Sequence, residues 1–255
     1  MLIPGLVSVT FKTKSAEQII ALCKQEGLKA IEWGENVHVM PNDSLGAGKL
    51  GEMTRQAGLA IAAYGSYYRL GEGMDFTGSL MSAKALGAPV LRIWAGTKPS
   101  AEVDGPLFQS LSQEAHDIAE RAKKEGILVA FEWHKNTLTD TNQSAMRLLA
   151  TANSDNLSCL WQPTVALDED ERKQGLAGLK SRLSNVHVYY WLEGKRRPLE
   201  EGLSYWKEYL KVIARNSDHY ALLEFVMDNS EQQFRDDAKC LLRMVRQYNE
   251  ESNNG

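Results

Sequence analysis

Eight short apolar runs, spaced roughly 30 residues apart, constrain the fold of this chain more than any other feature. Each is apolar almost throughout, which is typical of a parallel strand that is buried on both faces. The runs are Leu6–Thr10, Ala30–Trp33, Ala60–Tyr64, Val90–Trp94, Leu128–Trp133, Leu157–Trp161, Val186–Trp191 and Tyr220–Val226. Amphipathic segments, which predict helices, alternate with them: Ser15–Glu26, Leu45–Gln56, Phe76–Leu86, Ser110–Lys124, Thr141–Ala152, Asp168–Lys180, Leu203–Ala214 and Glu231–Tyr248.

Four glycines lie between the end of a predicted helix and the start of the next predicted strand. Gly27, Gly58, Gly87 and Gly126 each stand just before an apolar run, where a helix often ends in the left-handed conformation. Eight strand–helix units in 255 residues predict an α/β fold, a (β/α)₈ TIM barrel that forms a single domain over residues 1–248. A doubly wound sheet is the alternative. The polar segment 249–255 is predicted to be a disordered tail.

Composition excludes several classes of protein. Hydrophobic residues make up 43% and charged residues 24%, which excludes a disordered or collagen-like chain. The net charge of −4 argues against nucleic-acid and membrane-surface partners. The three cysteines are far apart in sequence and predict free thiols in a reducing compartment. With no signal peptide and no membrane-spanning run, we expect a cytoplasmic protein.

Polar side chains stand at the ends of the predicted strands, where barrel enzymes carry their active sites. Glu132, Gln162, His187 and Glu224 come from four consecutive strands, and a barrel would bring them together. Two carboxylates, an imidazole and an amide oxygen suit a divalent metal, Mn²⁺ first, with Mg²⁺, Co²⁺ or Zn²⁺ as alternatives. The structural alternatives are an ion pair of the two glutamates with Arg92, a core histidine, and a loop hydrogen bond from Gln162.

Other polar and aromatic residues at the same ends are candidates for substrate contacts. These are Glu32, His38, Tyr68, Arg92, Trp94, His134 and Trp191. Five tryptophans lie near the predicted mouth and predict an aromatic-walled pocket suited to the apolar faces of a sugar: Trp33, Trp94, Trp133, Trp161 and Trp191.

A set of short motifs, in this order along the chain, resembles the xylose isomerase-like TIM barrels, a superfamily of sugar-phosphate isomerases and epimerases. The motifs are Ile31–Gly34, Val37–Val39, Tyr64–Tyr68, Arg92–Gly96, Phe131–His134, Thr137–Thr141, Trp161–Pro163, Val186–Val188 and Leu223–Phe225. Similar members hold a divalent metal with acids from strands five, six and eight and a histidine from strand seven. The resemblance assigns these roles to Glu132, Gln162, His187 and Glu224, and Gln162 departs from the usual aspartate.

The resulting hypothesis is a metal-dependent isomerase or epimerase of a small sugar or sugar derivative. Glu132 and Glu224 would transfer the proton at the carbon next to the substrate carbonyl, through an enediolate. His38, Arg92 and His134 would orient hydroxyl groups, and Glu32 would anchor one of them. The alternatives are a lyase or dehydratase with the same chemistry, and a sugar-binding barrel without catalysis. A DNA-repair nuclease is disfavoured by the acidic charge, and a homo-oligomer stays open.

Overall fold

The computed structural model describes residues 1–213 and 217–253, and its eight parallel strands close into a barrel. The barrel strands are β1 (Leu2–Val7), β2 (Ala30–Gly34), β3 (Ala60–Arg69), β4 (Val90–Trp94), β5 (Leu128–Glu132), β6 (Leu157–Trp161), β7 (Leu183–Val188) and β10 (His219–Leu223). Neighbouring strands pair in sequence order, and β1 closes the ring by pairing with β10. The predicted TIM barrel is therefore confirmed.

Eight helices surround this barrel in the described part of the chain. They are α1 (Ala16–Gln25), α2 (Ser44–Gln56), α3 (Phe76–Leu86), α4 (Gly105–Lys123), α5 (Asn142–Ala152), α6 (Glu169–Leu179), α7 (Leu203–Val212) and α8 (Glu231–Asn253). Ser15 and Asp168 begin α1 and α6 with capping boxes. The four glycines between helix and strand, Gly27, Gly58, Gly87 and Gly126, all have positive φ, between 70° and 81°, as the sequence predicted. The predicted end of the seventh helix, Ala214, lies outside the described residues.

The alternation of side chains along each strand separates the barrel interior from the helix layer. Glu32 faces inward, whereas the adjacent Trp33 faces outward and donates its indole N–H to Thr54 of α2. Trp161 likewise packs edge-on against Trp206 and Tyr209 of α7. The inner faces at the strand ends are thus free to carry polar groups.

Several boundaries differ from the sequence prediction, since β3 continues to Arg69 and α4 begins at Gly105. Three further differences have an identifiable structural reason. The first strand begins at Leu2 and not at Leu6. Pro4 and Gly5 interrupt the apolar run in the sequence, but both residues are paired with β10, so the strand includes them. The seventh run ends as a strand at Val188, and a two-stranded hairpin follows, β8 (Tyr190–Leu192) and β9 (Lys195–Arg197).

The third difference concerns the predicted disordered tail. α8 continues to Asn253, and residues 254–255 lie outside the described part. Asn249 explains the continuation, because its side-chain amide pairs with both backbone groups of Leu2, at 2.8 and 3.0 Å.

The three cysteines are buried and free. No helix among the described residues has the length and apolar character needed to cross a bilayer.

Asp237 on α8 is a buried carboxyl group whose ionised form is disfavoured. Its side chain is 4% exposed, and Oδ1 accepts hydrogen bonds from the Leu199 backbone and the Gln233 amide, both at 2.8 Å. Burial raises the pKa of Asp237 from 3.8 to about 6 in spite of these bonds. The stability that this group contributes is therefore complete below about pH 3.8 and is lost as the pH rises through about 6.

We expect Asp237→Asn to stabilise the protein at neutral and alkaline pH. Both hydrogen bonds end on Oδ1, so asparagine keeps them while removing the charge. The free energy of unfolding should rise by about 1–2 kcal/mol at pH 8 and much less near pH 3.5, as measured by urea denaturation. Asp236→Asn is the control, since that side chain is 54% exposed. An equal gain at both pH values would contradict this account.

Candidate active site

Six polar side chains meet inside the barrel at the carboxyl ends of the strands. None is more than 5% exposed. Their contacts cross the barrel, because the side chains come from different strands. Four lie on β2, β4, β5 and β7, and two directly follow β6 and β10. They are Glu32, Arg92, Glu132, Gln162, His187 and Glu224.

Arg92 is the cation that joins two of the carboxylates. Its Nη1 lies 3.1 Å from Oε2 of Glu132 and donates to the Ser66 carbonyl at 2.9 Å. Its Nη2 lies 3.4 Å from Oε1 of Glu32. Burial alone would lower the pKa of Arg92, but Glu132 and Glu32 outweigh it and raise the pKa. Gly65 makes room for this pair, because a Cβ there would lie 2.6 Å from Glu32 Oε1 and 2.7 Å from Arg92 Nη2.

His187 is held between two carboxylates and is fully buried. Nε2 lies 3.1 Å from Oε2 of Glu32 and is hydrogen-bonded to it. Nδ1 lies 3.2 Å from Oε2 of Glu224, yet it makes no directed hydrogen bond within the described residues. Burial would lower the pKa of His187, but Glu224 and Glu32 raise it to about 10. Burial would raise the pKa of Glu32 in turn, but His187 and, to a smaller extent, Arg92 lower it.

Glu132 is the most firmly held of the carboxylates. Its Oε2 accepts from the Trp94 indole at 2.8 Å, in addition to the Arg92 contact. Its Oε1 accepts from Nε2 of Gln162 at 3.0 Å. The same Nε2 donates to the Trp133 carbonyl at 2.8 Å. These two acceptors fix the orientation of the Gln162 amide, and its Oε1 has no hydrogen-bond partner among the described residues.

A cavity of about 160 Å³ opens directly above this cluster. Its lining combines the cluster with residues of the surrounding loops: Glu132, His134, Lys135, Gln162, Thr164, Val165, Tyr189, Trp191, Glu224 and Phe225. Beside it, Trp94 is sandwiched between the His134 ring, at 4.6 Å between centroids, and the Arg69 guanidinium, at 3.5 Å from the ring. The cavity therefore offers carboxylates on one wall and aromatic surfaces on another.

Two residues predicted to contact substrate lie away from this cavity. Both ring nitrogens of His38 are used by Ser8 and the Lys14 carbonyl, at 3.0 Å each. Tyr68 points outward to α4, where its hydroxyl donates to Glu114 at 2.6 Å.

The prediction of a pocket walled by five tryptophans is wrong for three of them. Trp33, Trp133 and Trp161 are fully buried in the helix layer, because each neighbours a residue that faces inward. Of the five, Trp191 lines the cavity, and Trp94 adjoins it through Glu132 and His134.

Sequence reasoning missed four lining residues, which are Thr164, Val165, Tyr189 and Phe225. Tyr189 follows His187 by two positions, so strand alternation places it on the same side, and that signal could have found it. Burial, Glu224 and Glu132 raise the pKa of the Tyr189 phenol well above its usual value, which keeps the hydroxyl neutral. Lys135 lies in the loop directly after β5, and its position at the end of the fifth predicted strand already indicated that it lies near the site.

The cluster fits a divalent cation in its donor chemistry. Nδ1 of His187 is a buried nitrogen without a directed partner, and Glu32 holds the opposite ring nitrogen, as in carboxylate–histidine–metal arrangements. Glu224 adjoins Nδ1, and Gln162 supplies an amide oxygen. However, no three His, Cys, Asp or Glu side chains of the described chain stand ready as a metal cluster, and Glu132 is bound to Arg92 and Trp94.

Comparison with known proteins identifies the family. The model of the xylose isomerase-like TIM barrel family matches residues 20–244. The chain belongs to this family. The resemblance seen in the sequence motifs is thereby confirmed.

The proteins that this chain is similar to differ in activity. A 3-dehydroshikimate dehydratase of Bacillus anthracis is 27% identical over 172 residues, which span 59% of this chain and 61% of that protein. The structure of a probable 3-DHS dehydratase involved in petrobactin synthesis, from the same organism, superposes with a TM-score of 0.80 at 20% identity, covering 95% of this chain and 99% of the other.

An L-ribulose 3-epimerase superposes with a TM-score of 0.74 at 14% identity, covering 99% and 97% of the two chains. Two further structures with this fold, at TM-scores of 0.69 and 0.64, contain zinc and magnesium respectively. At such identities these superpositions show the shared fold alone.

Proposed function

We propose that this chain is an enzyme that removes the proton from the carbon next to the carbonyl of a small sugar-like substrate. The observation that carries the proposal is the cavity above the cluster, which has Glu132 and Glu224 in its lining and Arg92 and His187 buried behind them. A cavity of about 160 Å³ suits a small polyhydroxylated molecule.

The two carboxylates would have different tasks. Three donors engage the oxygens of Glu132, namely Arg92, Trp94 and Gln162, so this carboxylate has a fixed orientation. Among the cluster cations Glu224 contacts only the His187 imidazole, and its carboxylate lines the cavity where the substrate would lie. We assign the first proton abstraction to Glu224 and the orientation of substrate hydroxyls to Glu132 and His134.

A divalent cation is the cofactor that the donor set favours. His187, Glu224, Glu132 and the amide oxygen of Gln162 would hold it, and Glu32 would orient His187. When bound, such a cation stabilises negative charge on the substrate oxygen. Structures of this fold with zinc and magnesium support a divalent cation, and Mn²⁺ is our preferred choice because the ligands are mainly oxygen atoms.

Two reactions start from this same proton abstraction. Returning the proton to the other face, or to the neighbouring carbon, gives an epimerase or isomerase. Expelling a hydroxyl from the next carbon gives a dehydratase, and the sequence match to the Bacillus anthracis enzyme favours this second candidate. Self-association and a cytoplasmic location stay predictions.

The experiment that tests the proposal is incubation in D₂O with L-ribulose or 3-dehydroshikimate, after loading with Mn²⁺. Deuterium at the carbon next to the carbonyl of recovered substrate, or in an epimer or isomer formed from it, would support proton abstraction. A new sugar epimer would identify an epimerase, and release of an aromatic acid would identify a dehydratase. Binding of either compound without exchange or turnover would refute the enzyme and favour a sugar-binding barrel.

Gln162 gives a direct test of the cation site. We expect Gln162→Asp to raise the affinity for Mn²⁺ about tenfold or more, because a third negative ligand, beside Glu132 and Glu224, replaces a neutral amide. The same change should lower the thermal midpoint of the metal-free protein, since the amide donation to Glu132 and to the Trp133 carbonyl is lost. Calorimetric titration with Mn²⁺ measures the first effect, and differential scanning fluorimetry measures the second.

The matched control is Gln162→Asn, which has the same size as aspartate and stays neutral. It should shorten the side chain without raising the affinity for Mn²⁺. Equal affinities in wild type, Gln162→Asp and Gln162→Asn would show that residue 162 is not a ligand.

A further inference from the structure

A second cavity lies on the other side of Phe225 from the carboxylate cluster. Its volume is about 340 Å³, and it lies at the carboxyl ends of β1 and β10. Phe225 belongs to the lining of both cavities. Its φ of 54° is in the left-handed region, which is unfavourable for a phenylalanine.

The charge of the second cavity is entirely positive. Lys12 and Arg196 line it, together with Thr10 and Thr13, and no acidic side chain of the described residues does. Neither cation has a carboxylate partner among the described residues. Their sequence neighbours do: Lys14 pairs with Glu231 at 2.5 Å, and Arg197 pairs with Glu201 at 2.8 Å.

Arg196 is held in place without being neutralised. It projects from the β8–β9 hairpin and is half-buried. Its guanidinium lies 4.6 Å from the Phe225 ring, and Nη1 donates to Oδ1 of Asn229 at 2.6 Å. This contact uses one of five N–H donors, and the others have no hydrogen-bond partner among the described residues, so they can bind an oxyanion. A fixed arginine with free donors is the arrangement that recognises carboxylates and phosphates.

We propose that this cavity binds the anionic group, a carboxylate or a phosphate, of the substrate whose reacting carbon lies at the carboxylate cluster. Arg196 would bind two oxygens of the anion, and Lys12 would supply a second positive charge. The substrate would then be a sugar acid or a sugar phosphate that passes the edge of Phe225. The anion site itself stands on the geometry of this cavity, while its link to the reacting carbon rests on the proposed function.

The test is titration of the full chain with inorganic phosphate and with malonate, by isothermal calorimetry and by tryptophan fluorescence. Trp191 reports on the site because its ring lies 5.7 Å from the Arg196 guanidinium. We expect saturable binding of at least one anion, weakened tenfold or more in Arg196→Gln and severalfold in Lys12→Gln. Phosphate preference would indicate a sugar phosphate, and malonate preference a sugar acid.

Arg197→Gln is the matched control, because it removes the same charge from the adjacent position, where Arg197 already pairs with Glu201. It should bind the anions within twofold of wild type. Lys12→Gln, in a different element, keeps the test valid if Arg196→Gln unfolds the hairpin. Lack of saturation in wild type, or equal losses in Arg196→Gln and Arg197→Gln, would overturn the proposal.

Glu224→Gln separates this proposal from the proposed function. It should bind the anions within twofold of wild type, because the carboxylate is not part of the second cavity. If wild type binds anions but exchanges no proton with any tested substrate, the anion site stands and the enzyme assignment falls. If exchange occurs and Arg196→Gln leaves the KM of anionic substrates unchanged, the anion site falls alone.

Discussion

Glu224→Gln is expected to lower the rate of substrate proton exchange by about a thousandfold or more. An amide cannot accept the proton, and removing a general base costs about 10²–10⁴ in rate. The substitution also removes a negative charge next to Nδ1 of His187, which lies 3.2 Å away. We therefore expect a parallel loss of affinity for Mn²⁺. Deuterium exchange measures the first effect and calorimetric titration the second.

The fold should survive this substitution. Glutamine has the size of glutamate, and the backbone N–H of Glu224 keeps its hydrogen bond to the Val188 carbonyl. Thermal unfolding should therefore change by only a few degrees. Glu208→Gln is the surface control, since that side chain is 52% exposed and pairs with Lys211. Proton exchange by Glu224→Gln within tenfold of wild type would remove Glu224 from the role of base.

The architecture was predictable because it depends on a repeated local pattern. Apolar runs that alternate with amphipathic segments leave few folds, and the positive φ of Gly87, at the end of α3, followed from the same pattern. The location of the site was predictable for the same reason, since parallel strands in a closed barrel bring their carboxyl ends together. Glu132 and Glu224 stood out because apolar strands rarely bury a carboxylate without a function or a partner.

The contacts within the site could not be predicted, because they join residues that are distant in sequence. The orientation of the Gln162 amide is set by Glu132 and the Trp133 carbonyl, so the sequence showed a candidate ligand but not a donor to Glu132. His38 follows a predicted strand end like the residues of the cluster, yet Ser8 and Lys14 occupy both of its ring nitrogens.

Some errors were avoidable from alternation alone. Two adjacent residues of a strand face opposite sides, so Glu32 and Trp33 could not both face the cavity. Applying this rule would have placed three of the five tryptophans in the helix layer. The hairpin that carries Arg196 was harder to foresee, because Val186–Trp191 reads as one continuous apolar run.

Arg92→Met is expected to destabilise the protein by about 3–5 kcal/mol, the largest stability effect among the site residues. The substitution keeps the apolar stem but leaves Glu32 and Glu132 buried without the cation that lies 3.4 and 3.1 Å from them. It also leaves the Ser66 carbonyl without its donor. Urea denaturation at pH 7 measures the change in the free energy of unfolding.

Arg92→Lys and the double variant Arg92→Met/Glu32→Gln separate charge from geometry. Lysine keeps the charge, but a single ammonium cannot reach Glu32, Glu132 and the Ser66 carbonyl from one fixed plane, so it should recover only part of the loss. The double variant removes one carboxylate together with the cation and should be more stable than Arg92→Met alone. If instead the two losses simply add, Arg92 does not compensate the charge of Glu32, and its role would be confined to holding Glu132 and the β3 backbone.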